Sequence, residues 1–285
     1  MLNVEPIRVE TEIRDARVEL SRRARRQVVH MARRGGCFIG SALSCLDIIA
    51  HLYTRVLRVY PDTLRESERD YFLLSKGHAV PALYAVLAEL RYFAPERLAN
   101  HLQRTDDIYL HPNRAIPGIE FHSGSLGHLL SVGIGIAIDL ELCRGSNRVF
   151  VMMGDGELNE GSIWEALLVA GTRGLDKLVT IVDRNGLQAN LPTEQLVPLE
   201  PLAAKLESFG WQVQEIDGHD FGELEQGFAA LPVEPGKPTA VIAHTVRGKG
   251  IASIEGRTDR WFMQIDGEQE RRLLEEIETA AGAGR

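Results

Sequence analysis

The stretch "GDGELNEGSIWEA", Gly154 to Ala166, holds four acidic side chains, three glycines and no basic residue. It follows the apolar run "VFVMM", Val149 to Met153. Carboxylates at the end of a buried strand are costly unless something positive meets them. A second apolar run, "LVTIV" (Leu178 to Val182), ends at Asp183-Arg184-Asn185-Gly186. In an open α/β sheet, ligands gather at the carboxyl ends of the strands. If these two strands are neighbours, Asp155 and Asn185 arrive at one edge. An Asp carboxylate, an Asn amide oxygen and backbone carbonyls make a hard oxygen set, which suits magnesium or calcium better than zinc. Gly154 and Gly156 let the backbone approach a ligand closely. A helix starting just beyond would turn N–H groups and a positive dipole toward an anion. Together these features imply a metal-bridged diphosphate. The plain alternative is a common Gly-Asp-Gly turn in which Asp155 only caps.

The elements that must position these residues read as alternating strands and helices. Helices are expected at Thr11–Arg34, Leu43–Leu57, Pro81–Arg91, Ser125–Leu142, Glu160–Arg173, Glu200–Phe209 and Phe221–Leu231. Short apolar strands are expected at "YFLL" (Tyr71–Leu74), "VFVMM", "LVTIV", "WQVQEI" and "TAVIAHTV". Runs without polar–apolar alternation suggest a parallel sheet buried on both faces. The fold class expected is α/β, a doubly wound, mainly parallel sheet flanked by helices. A single domain over residues 1–275 is expected, including an N-terminal helical segment 1–60, with a disordered tail at 276–285. Gly133, Gly135 and Ala137 would let one helix pack closely on a neighbouring helix or subunit. The long stretch Gln103–Gly124 carries His111 and His122, and loops of that length are usually functional or disordered.

Composition narrows the partners. The 285 residues are 44% hydrophobic and 25% charged, with net charge −8 and an isoelectric point near 5.6. That balance disfavours nucleic acid, whose phosphates reward positive charge. Arg22, Arg23, Arg25, Arg26, Arg33 and Arg34 share a helix with several acids and read as a solvated or interface-facing helix. Cys37, Cys45 and Cys143 show no CxxC spacing, which points away from zinc or a disulfide framework. Met1–Glu12 is polar and unlike a signal peptide, and no apolar run approaches a bilayer span. A cytoplasmic protein without a membrane partner is the expectation.

Gly154-Asp155-Gly156, a spacer and Asn185 resemble the thiamine-diphosphate fingerprint. The segments "LSKGHAVPALYAVLA", "LHPN", "HSGSLGH", "FGWQVQEIDGHD" and "TVRGKG" follow in the order of the transketolase family, over nearly the whole chain. The resemblance implies thiamine diphosphate and Mg²⁺ (or Ca²⁺ or Mn²⁺) as cofactors. It implies that Asp155 and Asn185 ligate the metal through side chains and Leu187 through its carbonyl. Gly154 and Gly156 would meet the diphosphate, with the Gly156 N–H as donor. His78 would sit by the diphosphate and the reacting carbon, and His111 by substrate hydroxyls. Gly124 and Leu126 would touch the aminopyrimidine, and Glu160 with Glu165 would join a carboxylate network between two active sites. His78, His111 and Glu160 are thus the catalytic candidates. Glu157 is left as a first-turn helix acid.

The resemblance covers only a diphosphate-binding half. The glutamate that activates the cofactor lies, in the family, in a pyrimidine-binding domain, and the residues after "TVRGKG" are too few to form one. The expectation is a split enzyme: this chain plus a C-terminal subunit carrying the pyrimidine domain, two of each, transferring a two-carbon ketol unit from a ketose to an aldehyde. A 2-oxo acid donor, with acyloin formation or decarboxylation, and a non-catalytic cofactor-binding subunit are the alternatives. Four departures stand out. Cys37 stands where the family pattern has the histidine of "GHPG" and Phe262 where it has that of "WHG", and these two lost histidines bear on substrate. His128 stands where "LGQG" has Gln, and Leu110 rather than Gly precedes the "HP" loop. Cys37, His111 and Phe262 are therefore substrate-channel candidates, and Cys37 packed in the core is the plain alternative.

Overall fold

The computed structural model describes the backbone of residues 4–229 and 231–283 and the side chains of residues 16–229 and 231–280. The chain runs α1 (Val4–Gly35), α2 (Ile39–His51) with a wide π turn at Leu52–Val56, β1 (Tyr71–Leu74), a 3-10 turn at Gly77–Ala79, α3 (Val80–Glu89), a long loop, and α4 (Leu129–Leu142). It continues through β2 (Val149–Gly154), a 3-10 turn at Asp155–Asn159, α5 (Gly161–Arg173) and β3 (Leu178–Arg184). A small hairpin, β4 (Leu187–Gln188) and β5 (Leu191–Pro192), leads to α6 (Thr193–Leu196) and α7 (Leu202–Ser208). Then come β6 (Gln212–Asp217), α8 (Phe221–Ala229), β7 (Thr239–His244) and α9 (Gly267–Ala283).

Five strands form one sheet in the order β1-β2-β3-β7-β6, every pair parallel. The β2 strand shows why the apolar runs lack alternation. Phe150 and Met152 enter one core, with α1, α2 and α3, while Val149, Val151 and Met153 enter a second core, with α4 and α5. Each such side chain contributes about 1.5–3 kcal/mol on full burial, so a polar residue on either face of the strand would be costly. The doubly wound α/β expectation holds.

Several boundaries differ from the sequence reading. Ser125–His128 is a turn, and α4 begins at Leu129. A Cβ on Gly133 would lie 2.7 Å from Val151 Cγ2, so this glycine packs on the sheet rather than on a helix or subunit. Gly135 faces open space. Residues 276–283, expected as a disordered tail, continue α9 as helix, while 284 and 285 lie outside the described residues. The α9 helix lies along α1, where Arg22 and Arg26 both pair with Glu278. The early arginines therefore mostly answer acids of the same chain. Among the described residues, no helix is long and apolar enough to cross a membrane.

Candidate active site

The carboxyl ends of four adjacent strands, β1, β2, β3 and β7, deliver His78, Asp155, Asn185 and Arg247 respectively to one edge of the sheet. Parallel register sets this up. Gly154 pairs with Asp183, so Asp155 leaves β2 level with Arg184, one residue before Asn185 on the neighbouring strand. The element after β2 is a 3-10 turn, so α5 starts only at Gly161, away from Gly154-Asp155-Gly156. A Cβ on Gly156 would lie 2.8 Å from Gln188 Cγ, which brings the β4 hairpin over this turn.

Asp155 is buried. Its Oδ1 accepts a hydrogen bond from Arg184 at 2.8 Å, and its Oδ2 is buried without a partner. Burial pushes the carboxyl up and Arg184 only partly offsets this, leaving it above the ordinary range. Asn185 Oδ1 accepts the Leu187 N–H at 3.1 Å, and the Leu187 carbonyl accepts from Arg247 at 3.0 Å. Each of these oxygens keeps a second lone pair. A buried, unsatisfied carboxylate oxygen beside amide and carbonyl oxygens is the donor set that a hard divalent cation requires. These residues fit the metal expected for them.

Three cations that sequence reasoning missed stand around this edge. Arg184 joins Asp155 to Glu194 and Glu200 at 2.7 and 2.8 Å, tying β3 to the 186–200 segment. Lys76, fully buried, pairs with Asp183, which also accepts from Ser44 Oγ at 2.6 Å and from Thr245 Oγ1. Burial pushes Asp183 up, but Lys76 and these hydrogen bonds more than offset it, holding the carboxyl below the ordinary range. Arg247, also buried, donates to the carbonyls of Leu187 and Ala189 and has an unpartnered Nε. The "SKGH", "DRN" and "TVRGKG" segments contain these residues, but most of their partners lie far away in sequence.

The glycine-rich turn before α4 is fixed by acids. Glu157 stands in the first turn of the 3-10 element after β2, and it is buried. Its Oε1 accepts the Ser75 hydroxyl and the Gly127 N–H, while Oε2 has no partner. Glu160 lies against Gly127, where an added Cβ would come within 2.7 Å of the Glu160 Cβ. Glu160 and Glu165 are exposed, and Leu126 is half-buried. Gly124, at φ +149°, passes close to His111, and a Cβ there would be strained and would lie 3.0 Å from the His111 ring.

His78 and His111 meet in an aromatic group. Phe38 lies 5.5 Å from His78, 6.5 Å from His111, 4.8 Å from Trp261 and 5.1 Å from Phe262, between ring centroids. His78 Nε2 is 2.9 Å from Ser41 Oγ. Burial, reinforced by Lys76, lowers its pKa to about 3, and burial also lowers that of His111. Both imidazoles are neutral at physiological pH. Cys37, expected to line the channel, does not. It is fully buried in the core, its Sγ 3.8 Å from the Val28 carbonyl. Cys37 pairs with Met263 in an isolated bridge, and the chain then turns tightly at Phe38, where the Ile39 N–H donates to the Cys37 carbonyl at 2.8 Å. It is the Phe38 ring that lies by His78 and His111.

Residues 14–270 match the family model described as "Transketolase, thiamine diphosphate binding domain". The chain belongs to the transketolase family. Among curated transketolase relatives, an apulose-4-phosphate transketolase subunit of Phocaeicola vulgatus is 38% identical over 87% of this chain and 88% of its own. The 6-deoxy-6-sulfo-D-fructose transketolase subunit SqwG of a Clostridium species is 37% identical over 84% and 88%. Human transketolase is 34% identical over 83% of this chain but only 38% of its own. Among solved structures, transketolase from Campylobacter jejuni superposes with a TM-score of 0.82 at 25% identity, covering 93% of this chain and 42% of that one. The chain thus spans less than half the length of that solved transketolase. It corresponds to the N-terminal, thiamine diphosphate-binding part of transketolases, and the observed sheet agrees with that fold.

Proposed function

We propose that the chain is the cofactor-binding subunit of a two-component, thiamine diphosphate- and Mg²⁺-dependent transketolase-like enzyme. It would act as one diphosphate-binding domain in the cytoplasm, paired with a chain that carries the pyrimidine domain, two copies of each. The observation that carries this reading is the buried, unpartnered Oδ2 of Asp155 at the edge where Asn185 and Leu187 converge. Similar proteins are themselves named as transketolase subunits and match at nearly full mutual coverage, which supports a separate partner.

When bound, thiamine diphosphate supplies an electron sink for breaking and forming carbon–carbon bonds next to a carbonyl. In this reading Asp155, Asn185 and Leu187 hold the metal, and Arg247 and Lys76 add positive charge for the diphosphate. Gly154 and Gly156 leave room for it, and Gly124 and Leu126 line the aminopyrimidine. Neutral His78, oriented by Ser41, holds a proton beside the reacting centre. His111 offers a neutral ring to substrate oxygens. Glu160 faces outward and would meet the partner half of the site.

Calorimetric titration of thiamine diphosphate with Mg²⁺, with and without the partner chain, tests this. Metal-dependent binding that is lost in Asp155→Ala is expected. Ketol transfer is expected only with the partner present, and robust turnover by the isolated chain would overturn the two-component reading.

A further inference from the structure

Phe38, His78, His111, Trp261 and Phe262 come from four separate segments, yet their rings form one connected group. Rings that served only the core would be buried. Here Phe262 is 42% exposed and the other four are half-buried, so the group presents a surface. That surface is uncharged, because both imidazoles are neutral and the remaining three rings carry no titratable group. It adjoins the turn of Gly124, which runs against His111.

Such a wall discriminates in one direction. C–H groups gain contact with ring faces and edges. A hydroxyl pressed against the ring faces of Phe38, Trp261 and Phe262 gives up water and finds few partners in return. Differences of about ten-fold for each changed group are usual in apolar pockets. We propose that this aromatic wall selects an aldehyde acceptor whose chain beyond the carbonyl is apolar, aliphatic or aromatic, rather than polyhydroxylated. The choice of an aldehyde rests on the ketol-transfer reading above. The affinity of the wall itself is measured without cofactor or turnover.

Saturation-transfer difference NMR on the full chain compares butanal with erythrose, which has the same number of carbons, and adds benzaldehyde as an aromatic probe. Butanal and benzaldehyde are expected to receive at least ten-fold more saturation than erythrose. Trp261→Ser and Phe262→Ser should each cut the benzaldehyde signal several-fold with an unchanged circular dichroism spectrum. If either variant fails to fold, the wild-type comparison of butanal with erythrose decides alone. Equal or stronger transfer to erythrose, or benzaldehyde signals unchanged in both folded variants, would overturn the proposal. Loss of cofactor binding in the calorimetry with normal aldehyde selectivity would instead count against the transketolase-like reading alone.

Discussion

Glu157 accepts the backbone N–H of Gly127 at 3.0 Å, across 30 residues of sequence. The same oxygen accepts the Ser75 hydroxyl. One buried carboxyl therefore joins the loop carrying His78, the turn carrying Gly124 and Leu126, and the end of β2. Burial raises its pKa, so its charged form is disfavoured and its contribution declines as pH rises through the raised value. Glu157→Gln keeps the acceptor without the charge and should be neutral or stabilising at pH 8. Glu157→Ala strands both donors and should cost about 2–3 kcal/mol. Urea denaturation of both variants checks this, and equal losses would refute it.

Asp155 and Arg184 make opposite predictions for binding and for folding. Asp155→Ala should abolish the metal-dependent heat of cofactor binding. Arg184→Gln leaves Asp155 buried without its cation, and truncating one partner of such a pair costs about 3–5 kcal/mol. Because Arg184 also holds Glu194 and Glu200, amide exchange should quicken across residues 186–200. Unchanged exchange there would mean that the loop is held by other contacts.

Acid should weaken the fold through His51. Its Nδ1 accepts from Arg17 at 2.9 Å, and burial, then Arg17, lowers its pKa to about 4. Between pH 6.5 and 4 the unfolded chain binds a proton that the folded chain refuses. Stability is therefore complete above pH 6.5 and drains as pH falls to 4, by about 3 kcal/mol from this residue. Urea midpoints at pH 7 and 4.5 measure the loss, and His51→Gln should shrink the difference. The same slope in that variant would assign the effect to other groups.

Gly133 and Gly135 share a helix but should respond differently to substitution. Gly133→Leu drives a side chain into Val151 and should cost about 1–3 kcal/mol. Gly135→Ala meets nothing within 4 Å and should stabilise by about 0.5–1 kcal/mol through helix propensity and chain entropy. Thermal melts of the pair would settle it, and equal shifts would contradict the packing described.

The strands and the edge they share are legible in the sequence because continuous apolar runs follow directly from burial on both faces. Asp155 and Asn185 are legible for the same reason, each standing just past such a run. Glu157 is not, because its partners, Ser75 and Gly127, are remote in sequence, and its own neighbours look like the start of a helix. Cys37 misleads by a single position. Cys37 is tied to Met263 and the chain turns at Phe38, and no feature of "GGCFIG" reports that pairing or that turn. Lys76, Arg184 and Arg247 belong to the same class, since a cation in a loop has no meaning until its carboxylate or carbonyl is placed.

The burial of two thiols gives the molecule a practical property. Cys37 and Cys45 are sealed in the core, and burial pushes both thiols up, Cys45 to about 12. Neither offers a thiolate to a reagent at neutral pH. Cys143, exposed at the end of α4, is the third of three cysteines in the chain. A maleimide fluorophore added to the native chain should therefore report from one known address, with no cysteine needing to be removed first.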